Sequence, residues 1–198
     1  MPEKPFSQAC ENNRQPIVEL LQRILADCRE LLEIGSGTGQ HAVHFAPRLP
    51  QLRWQTSDLA QHHAGISAWL AEQPAPNLLP PIELDVDRLP WPVAGKDGIF
   101  TANTCHIMGW STVCNLFRGA QALLPSGGLL VVYGPFNYGG EFTAPSNARF
   151  DLWLKQQAPQ MGIRDFEAVD RLANEAGMTL REDNAMPANN RLLVWQKR

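Results

Sequence analysis

The segment Leu31-Leu32-Glu33-Ile34-Gly35-Ser36-Gly37-Thr38-Gly39-Gln40-His41 constrains the fold more than any other part of the chain. A short apolar run ends in three alternating glycines, and apolar residues at helical spacing follow at once. This is the pattern of a buried strand, a tight turn and a helix N-terminus, the arrangement that receives a nucleotide-like cofactor at the end of a parallel strand. Glycine serves such a turn by adopting backbone angles closed to other residues and by letting the main chain approach a ligand. The spacing narrows the choice of ligand. A dinucleotide fingerprint places its third glycine three positions after the second, and here Gln40 fills that slot while Gly39 comes one residue early. No Gly-Lys-Ser or Gly-Lys-Thr follows, which excludes a phosphate-binding P-loop.

Strand-like and helix-like stretches alternate along the rest of the chain, which predicts a parallel sheet with helices on both faces. Helical spacing of Ile17, Leu20, Leu21, Ile24 and Leu25 predicts a leading helix over 15–27, with Pro16 in its first turn. Strands are predicted at 30–34, 52–56, 81–86, 97–102 and 129–133, and helices at 41–48, 61–72, 112–124 and 166–176. The tail, 178–182 and 190–196, reads as an antiparallel hairpin whose turn holds Asn189 and Asn190. Residues 134–147 read as a long loop rich in Gly and Asn, and loops of that kind are often binding loops or lids.

Length and composition fit one domain over 1–198, with 1–28 as an N-terminal lid and helix and 134–165 as a loop or insert over the site. A formal net charge of −3 and the absence of any basic run argue against nucleic acid as a partner. No apolar stretch approaches the ~20 residues of a membrane helix, and the N-terminus lacks a signal core, so a cytoplasmic location is expected. The four cysteines (Cys10, Cys28, Cys105, Cys114) form no C-x-x-C pair, so neither a metal site nor a disulfide framework is expected. Cys105 reads as a small buried thiol in preference to a nucleophile.

The E-x-G-x-G-x-G pattern at Glu33–Gly39 resembles motif I of the S-adenosylmethionine-dependent methyltransferases with a Rossmann-like core. Further segments narrow the resemblance: Asn13-Arg14-x-Pro16-Ile17, Tyr133-Gly134-Pro135-Phe136, Ser146-Asn147, Phe150-Asp151, Gly162-Ile163-Arg164-Asp165 and Met186-Pro187-Ala188-Asn189-Asn190. In that order they resemble a methyltransferase-like family catalogued as domain of unknown function 938, over nearly the whole chain. The resemblance implies a Rossmann-like, seven-stranded, mostly parallel α/β sheet with helices on both faces and an antiparallel C-terminal strand. It implies S-adenosylmethionine as cofactor, with the methionine moiety seated by Glu33, Gly35, Ser36, Gly37, Thr38 and Gly39. It makes Asp58, with Leu59 beside it, the ribose-binding acid, in keeping with a carboxylate about twenty residues beyond the glycine turn. It places Asp85 and Val86 at the adenine, while Asp87 reads as a capping or solvated acid.

The fourth predicted strand runs into Asn103-Thr104-Cys105-His106, at the centre of the site in such a fold, so Asn103 and Thr104 are expected at the cofactor. His106 is the candidate general base, since imidazole titrates near neutrality, and its alternative is a structural histidine. The family's amide-methylating members carry Asn/Asp-Pro-Pro-aromatic here, and its absence counts against adenine or glutamine amide as acceptor. Trp110 is a candidate pocket wall. Tyr138, Phe142 and Asn147 are candidates to close over an acceptor, and Glu11 and Asn13 are the polar candidates of the N-terminal lid over 6–14. Arg164 has the fork to take a substrate anion or to pair with Asp151 or Asp165. The function expected is methyl transfer to a small-molecule acceptor. A cofactor-binding module without catalysis is one alternative, and a nicotinamide-dependent oxidoreductase is another, disfavoured by the glycine spacing and by the lack of a Tyr-x-x-x-Lys pair.

Overall fold

The computed structural model describes residues 4–198. In chain order its elements are α1 (Gln8–Ile24), β1 (Glu30–Ile34), α2 (Gln40–Phe45), β2 (Arg53–Asp58), α3 (His63–Glu72), β3 (Leu78–Glu83), β4 (Gly98–Ala102), α4 (Trp110–Leu123), β5 (Leu129–Asn137), α5 (Pro145–Gln157), β6 (Arg164–Asp165), α6 (Phe166–Glu175), β7 (Met178–Met186) and β8 (Asn190–Lys197). The sheet runs β3-β2-β1-β4-β5-β8-β7. β1 to β5 pair in parallel, and β8 lies antiparallel between β5 and β7. The seven-stranded path matches the expectation, and the two-residue β6, parallel to the end of β5 at Phe136 and Asn137, adds an eighth strand.

Alternation along the strands sorts side chains to two cores. Leu32, Ile34, Ile99, Leu130 and Val132 face α4 and α6, where Val113, Leu116, Phe117, Val169 and Ala173 meet them. Leu31, Phe100, Val131 and Tyr133 face α1 and α2, against Ile17, Leu21, Ala42 and Phe45. Central strands buried on both faces explain why β1 and β4 read as continuous apolar runs. Beneath the glycine turn, the rings of Phe45, Trp54 and Phe100 pack with centroids 5.7–5.8 Å apart, locking α2, β2 and β4 to one another. No helix among the described residues is long and apolar enough to cross a membrane.

Four expectations are corrected. The first helix starts at Gln8 under a Ser7 cap, so most of the segment expected to lie over the cofactor as a lid is helical; residues 1–3 of that segment lie outside the described residues. Pro16 is inside α1 and removes one amide donor; the helix runs on past it, held by its buried face of Asn13, Ile17, Val18 and Leu21. β3 begins three residues earlier than expected and carries Pro80 and Pro81, which an edge strand tolerates. The third strand therefore ends before Asp85. The 134–165 stretch is largely regular: β5 continues to Asn137, Tyr138 and Glu141 close a turn by reciprocal backbone bonds, and α5 follows. The polarity of α5 hid it from the sequence, because it buries Asn147 and Asp151 while leaving Leu152 and Trp153 exposed.

Phe100→Ala should lower the free energy of unfolding by roughly 3–5 kcal/mol, the usual loss for a fully buried phenylalanine. Chemical denaturation of the variant beside the unsubstituted protein would check this.

Candidate functional site

The turn leaving β1 is held from below and from both sides. Glu33 is buried, and one of its carboxylate oxygens accepts bonds from Ser36 Oγ at 2.8 Å and Trp54 Nε1 at 3.0 Å. Burial pushes its pKa up to about 7, against the pull of those two donors. Gly35, at φ +69°, passes so close to the loop after β4 that an added Cβ would stand 2.7 Å from Thr104 Cγ2, and a Cβ on Gly39 would come within 3.1 Å of Ile66 Cα in α3. Both contacts and both angles require glycine. Gln40, in the slot where a dinucleotide site has its third glycine, is wholly buried and ties the turn to α1: its Oε1 accepts from Ser7 N at 2.6 Å and its Nε2 donates to Glu11 Oε1 at 2.8 Å.

Asp58 ends β2 beside this turn. One carboxylate oxygen accepts from Gly37 N at 2.7 Å, the other from Leu59 N at 2.7 Å. Past β3, Asp85 accepts from Asp87 N at 3.0 Å and lies 3.3 Å from Arg88 Nε. Asp87 accepts from Thr112 and Asn115 of α4 at 2.8 and 2.9 Å, an anchoring role for the neighbouring acid. After β4, Asn103 takes a left-handed conformation (φ 59°), and Thr104 Oγ1 bonds Thr101 Oγ1 at 2.7 Å.

These groups open onto one cavity of about 950 Å³ at the carboxyl ends of the parallel strands, at the upper end of the ~300–1,000 Å³ range usual for small-molecule sites. Of the residues singled out in the sequence, Gly35, Ser36, Gly37, Thr38, Asp58, Leu59, Asp85, Val86, Asn103, Thr104, His106, Asn13 and Asn147 line it. Glu33 and Gly39 do not; they lie behind the wall and shape the turn. Glu11 is turned to Gln40 and Arg14.

His106 is only 6% exposed, faces the cavity, and among the described residues its ring makes no hydrogen bond. Burial, with Arg164 nearby, lowers its pKa to about 4, so the imidazole is neutral at ordinary pH. Gly162 N donates to its carbonyl at 2.9 Å, fixing the backbone. His41 is the second buried imidazole in the lining: its Nε2 is 2.7 Å from Asn13 Oδ1, and burial lowers its pKa to about 4 as well.

Four expected pocket residues are elsewhere. Trp110 is 40% exposed at the start of α4 and outside the cavity. Tyr138 stacks on Phe166 at 5.1 Å and donates to Asp183 at 2.8 Å, away from the site, and Phe142 is exposed beyond the lining. Among the described residues Arg164 forms no ion pair with Asp151 or Asp165: its fork donates to the carbonyls of Cys105 (2.9 Å), Gln160 (2.8 Å) and Met108, bracing the loop that carries His106. The Cys105 thiol is buried and pushed up to about 11, as suits a packing residue. The sequence reading missed His41, Tyr133, Phe150, Ala188, Asn189 and Asn190 as lining residues. His41 had a signal, since it begins the helix after the turn. The others come from β5, α5 and the β7–β8 connection with the start of β8, which only the fold brings round to the cavity.

The family described as "Protein of unknown function (DUF938)" matches residues 4–197. The chain belongs to the DUF938 family. Its fold is that of class I methyltransferases. It superposes on an O-methyltransferase family 2 protein from Planctomyces limnophilus, solved in complex with apigenin, with a TM-score of 0.80 at 22% identity, covering 94% of this chain and 57% of that one. An O-methyltransferase family protein from Burkholderia thailandensis gives 0.79 at 17% identity, covering 92% and 55%, and PigF, solved with SAH, gives 0.78 at 19%, covering 92% and 61%. The DUF938 chain thus spans little more than half the length of these proteins.

The carboxyl of Glu33 has a sign-definite pH signature. Its pKa is raised in the folded state, so its contribution to stability is complete below the unfolded value near 4.5 and declines as pH rises through about 7. Glu33→Gln should remove that slope: unfolding free energies measured from pH 5 to 8 should fall with pH more steeply in the unsubstituted protein than in the variant.

Proposed function

We propose that this DUF938 protein transfers a methyl group from S-adenosylmethionine to a small-molecule acceptor. The observation that carries the reading is the coupling of Asp58 to the glycine turn through Gly37 N, at the floor of a cavity that also holds a buried, unbonded imidazole. The residues fit the cofactor. The bare Gly35–Gly37 backbone offers a surface that side chains would block, Asp58 is an acceptor for paired ribose hydroxyls, and Asp85 with Val86 supplies an acid and an apolar contact for an adenine. Ser36, Thr38, Leu59, Asn103 and Thr104 complete that side of the wall.

When bound, S-adenosylmethionine supplies a methyl group on a sulfonium that is open to in-line displacement. The protein's part is alignment of donor and acceptor within the cavity. His106, neutral and with no ring partner among the described residues, is placed to accept the proton that leaves an acceptor's oxygen or nitrogen. Arg164 acts through the loop it braces and does not reach the cavity. A cavity walled by side chains and covered by the first turns of α1 supports a small acceptor over a macromolecule.

Titration with S-adenosylhomocysteine by calorimetry tests the cofactor. Micromolar binding is expected, with no heat from NADH. Asp58→Ala should weaken it by about tenfold or more, as loss of hydrogen bonds to a charged group would. His106→Ala should leave that affinity within about twofold, because the imidazole is assigned to the acceptor. NADH binding in place of S-adenosylhomocysteine would transfer the reading to the oxidoreductases, and retained binding without turnover on any acceptor would leave a binding module.

A further inference from the structure

The charges in the cavity wall are segregated. Asp58, Asp85 and Asp87 follow β2 and β3 at one edge of the sheet, and they are its only carboxylates among the described residues. Toward β5 and β8 the wall is uncharged: Asn13, Tyr133, Asn147, Phe150, Asn189 and Asn190. No Lys or Arg among the described residues lines the cavity anywhere. Arg164, whose charge acts on His106, has its guanidinium committed to main-chain carbonyls. The two buried imidazoles, His41 and His106, are held neutral by burial. A carboxylate or phosphate entering this half would leave water and meet no counter-charge, which costs several kcal/mol. Amide groups, by contrast, offer both donors and acceptors to an uncharged polar group.

The same half is rigidly built. Phe150 is flanked by Trp153, stacked at 5.8 Å and 13°, and by His106, edge-on at 5.3 Å and 69°, so one aromatic surface is fixed in the wall. Among the described residues, the non-glycine positions with positive φ are Asn103, Ala188 and Asn189, at 59°, 57° and 58°, and all three line this cavity. Strained backbone of this kind concentrates where a ligand is gripped. The tip of the hairpin is tied to α5 by Asn147 Nδ2 donating to Asn189 O and by Asn189 Nδ2 donating to Ser146 Oγ, both at 3.4 Å.

We propose that this half of the cavity selects an uncharged acceptor with a flat apolar body and rejects anionic acceptors of the same shape. The proposal rests on the methyl-transfer reading and names the chemical class that reading leaves open.

The test is calorimetric binding of two probes with one ring system, 2-naphthol and 2-naphthoate, each titrated with and without saturating S-adenosylhomocysteine. The unsubstituted protein should bind 2-naphthol at least about a hundredfold tighter than 2-naphthoate, given the uncompensated charge of the latter. Ser146→Lys puts a cation at an exposed rim position of the lining. It should strengthen 2-naphthoate binding at least about tenfold, so that the preference for 2-naphthol falls by at least that factor. Equal or tighter binding of 2-naphthoate by the unsubstituted protein overturns the proposal. So does an unchanged 2-naphthoate affinity in the variant, or binding of neither probe. Selectivity for 2-naphthol without any S-adenosylhomocysteine binding would sink the methyl-transfer reading alone and leave the neutral pocket standing.

Discussion

Everything at the carboxyl end of this sheet depends on how closely other elements crowd the turn between β1 and α2. The backbone at Gly35 lies against Thr104 and that at Gly39 against Ile66, at separations that leave no room for a Cβ. Glu33 fills the space beneath, joined to Ser36 in the turn and to Trp54 in β2. Gln40 fastens the same turn to the start of α1. A loop gripped from four directions is a rigid floor, and preorganised main chain is what a cofactor site requires. The aromatic cluster of Phe45, Trp54 and Phe100 passes that rigidity down into the sheet.

The electrostatics of the cavity follow from which groups burial leaves charged. The carboxylates at the ends of β2 and β3 are supported by backbone amides, by Arg88 and by side chains of α4, and they stay at the edge where water reaches them. His41 and His106, deeper, are neutral because desolvation lowers their pKa values and the cations nearby, Arg14 and Arg164, lower them further. Arg164 could have made the pocket attractive to anions. Its fork instead caps carbonyls of the loop from Cys105 to Met108 and of Gln160, so its charge works as a brace. The cavity therefore carries negative charge on one side, and neutral amides and rings on the other.

Several features were legible because they are local. The strand, the alternating glycines and the following helix are encoded within eleven residues, and Asp58 follows at the distance a parallel βαβ unit imposes. Asp87, read as a capping or solvated acid, accepts from Thr112 and Asn115, pairings that local sequence does not show. Trp110 and Tyr138 misled because an aromatic near a strand end has no intrinsic direction: one points to solvent and the other stacks on α6. Helix α5 was invisible because its polar side faces inward, against the rule that buried faces are apolar. Its Asn147 is buried because the hairpin tip accepts its amide, a pairing 42 residues apart in sequence.

The sequence alone determined the architecture, the glycine turn and the acids at the ends of β2 and β3, since each depends on spacing and on residue type within one βα unit. The tertiary structure decided the side of the cavity toward β5 and β8. It carried β8 back between β5 and β7, swung the strained Ala188–Asn189 turn against α5, and left His106 unpartnered while Arg164 held its loop. Those contacts join residues distant in the chain, and their energies depend on burial and counter-charges that exist only after the sheet has assembled.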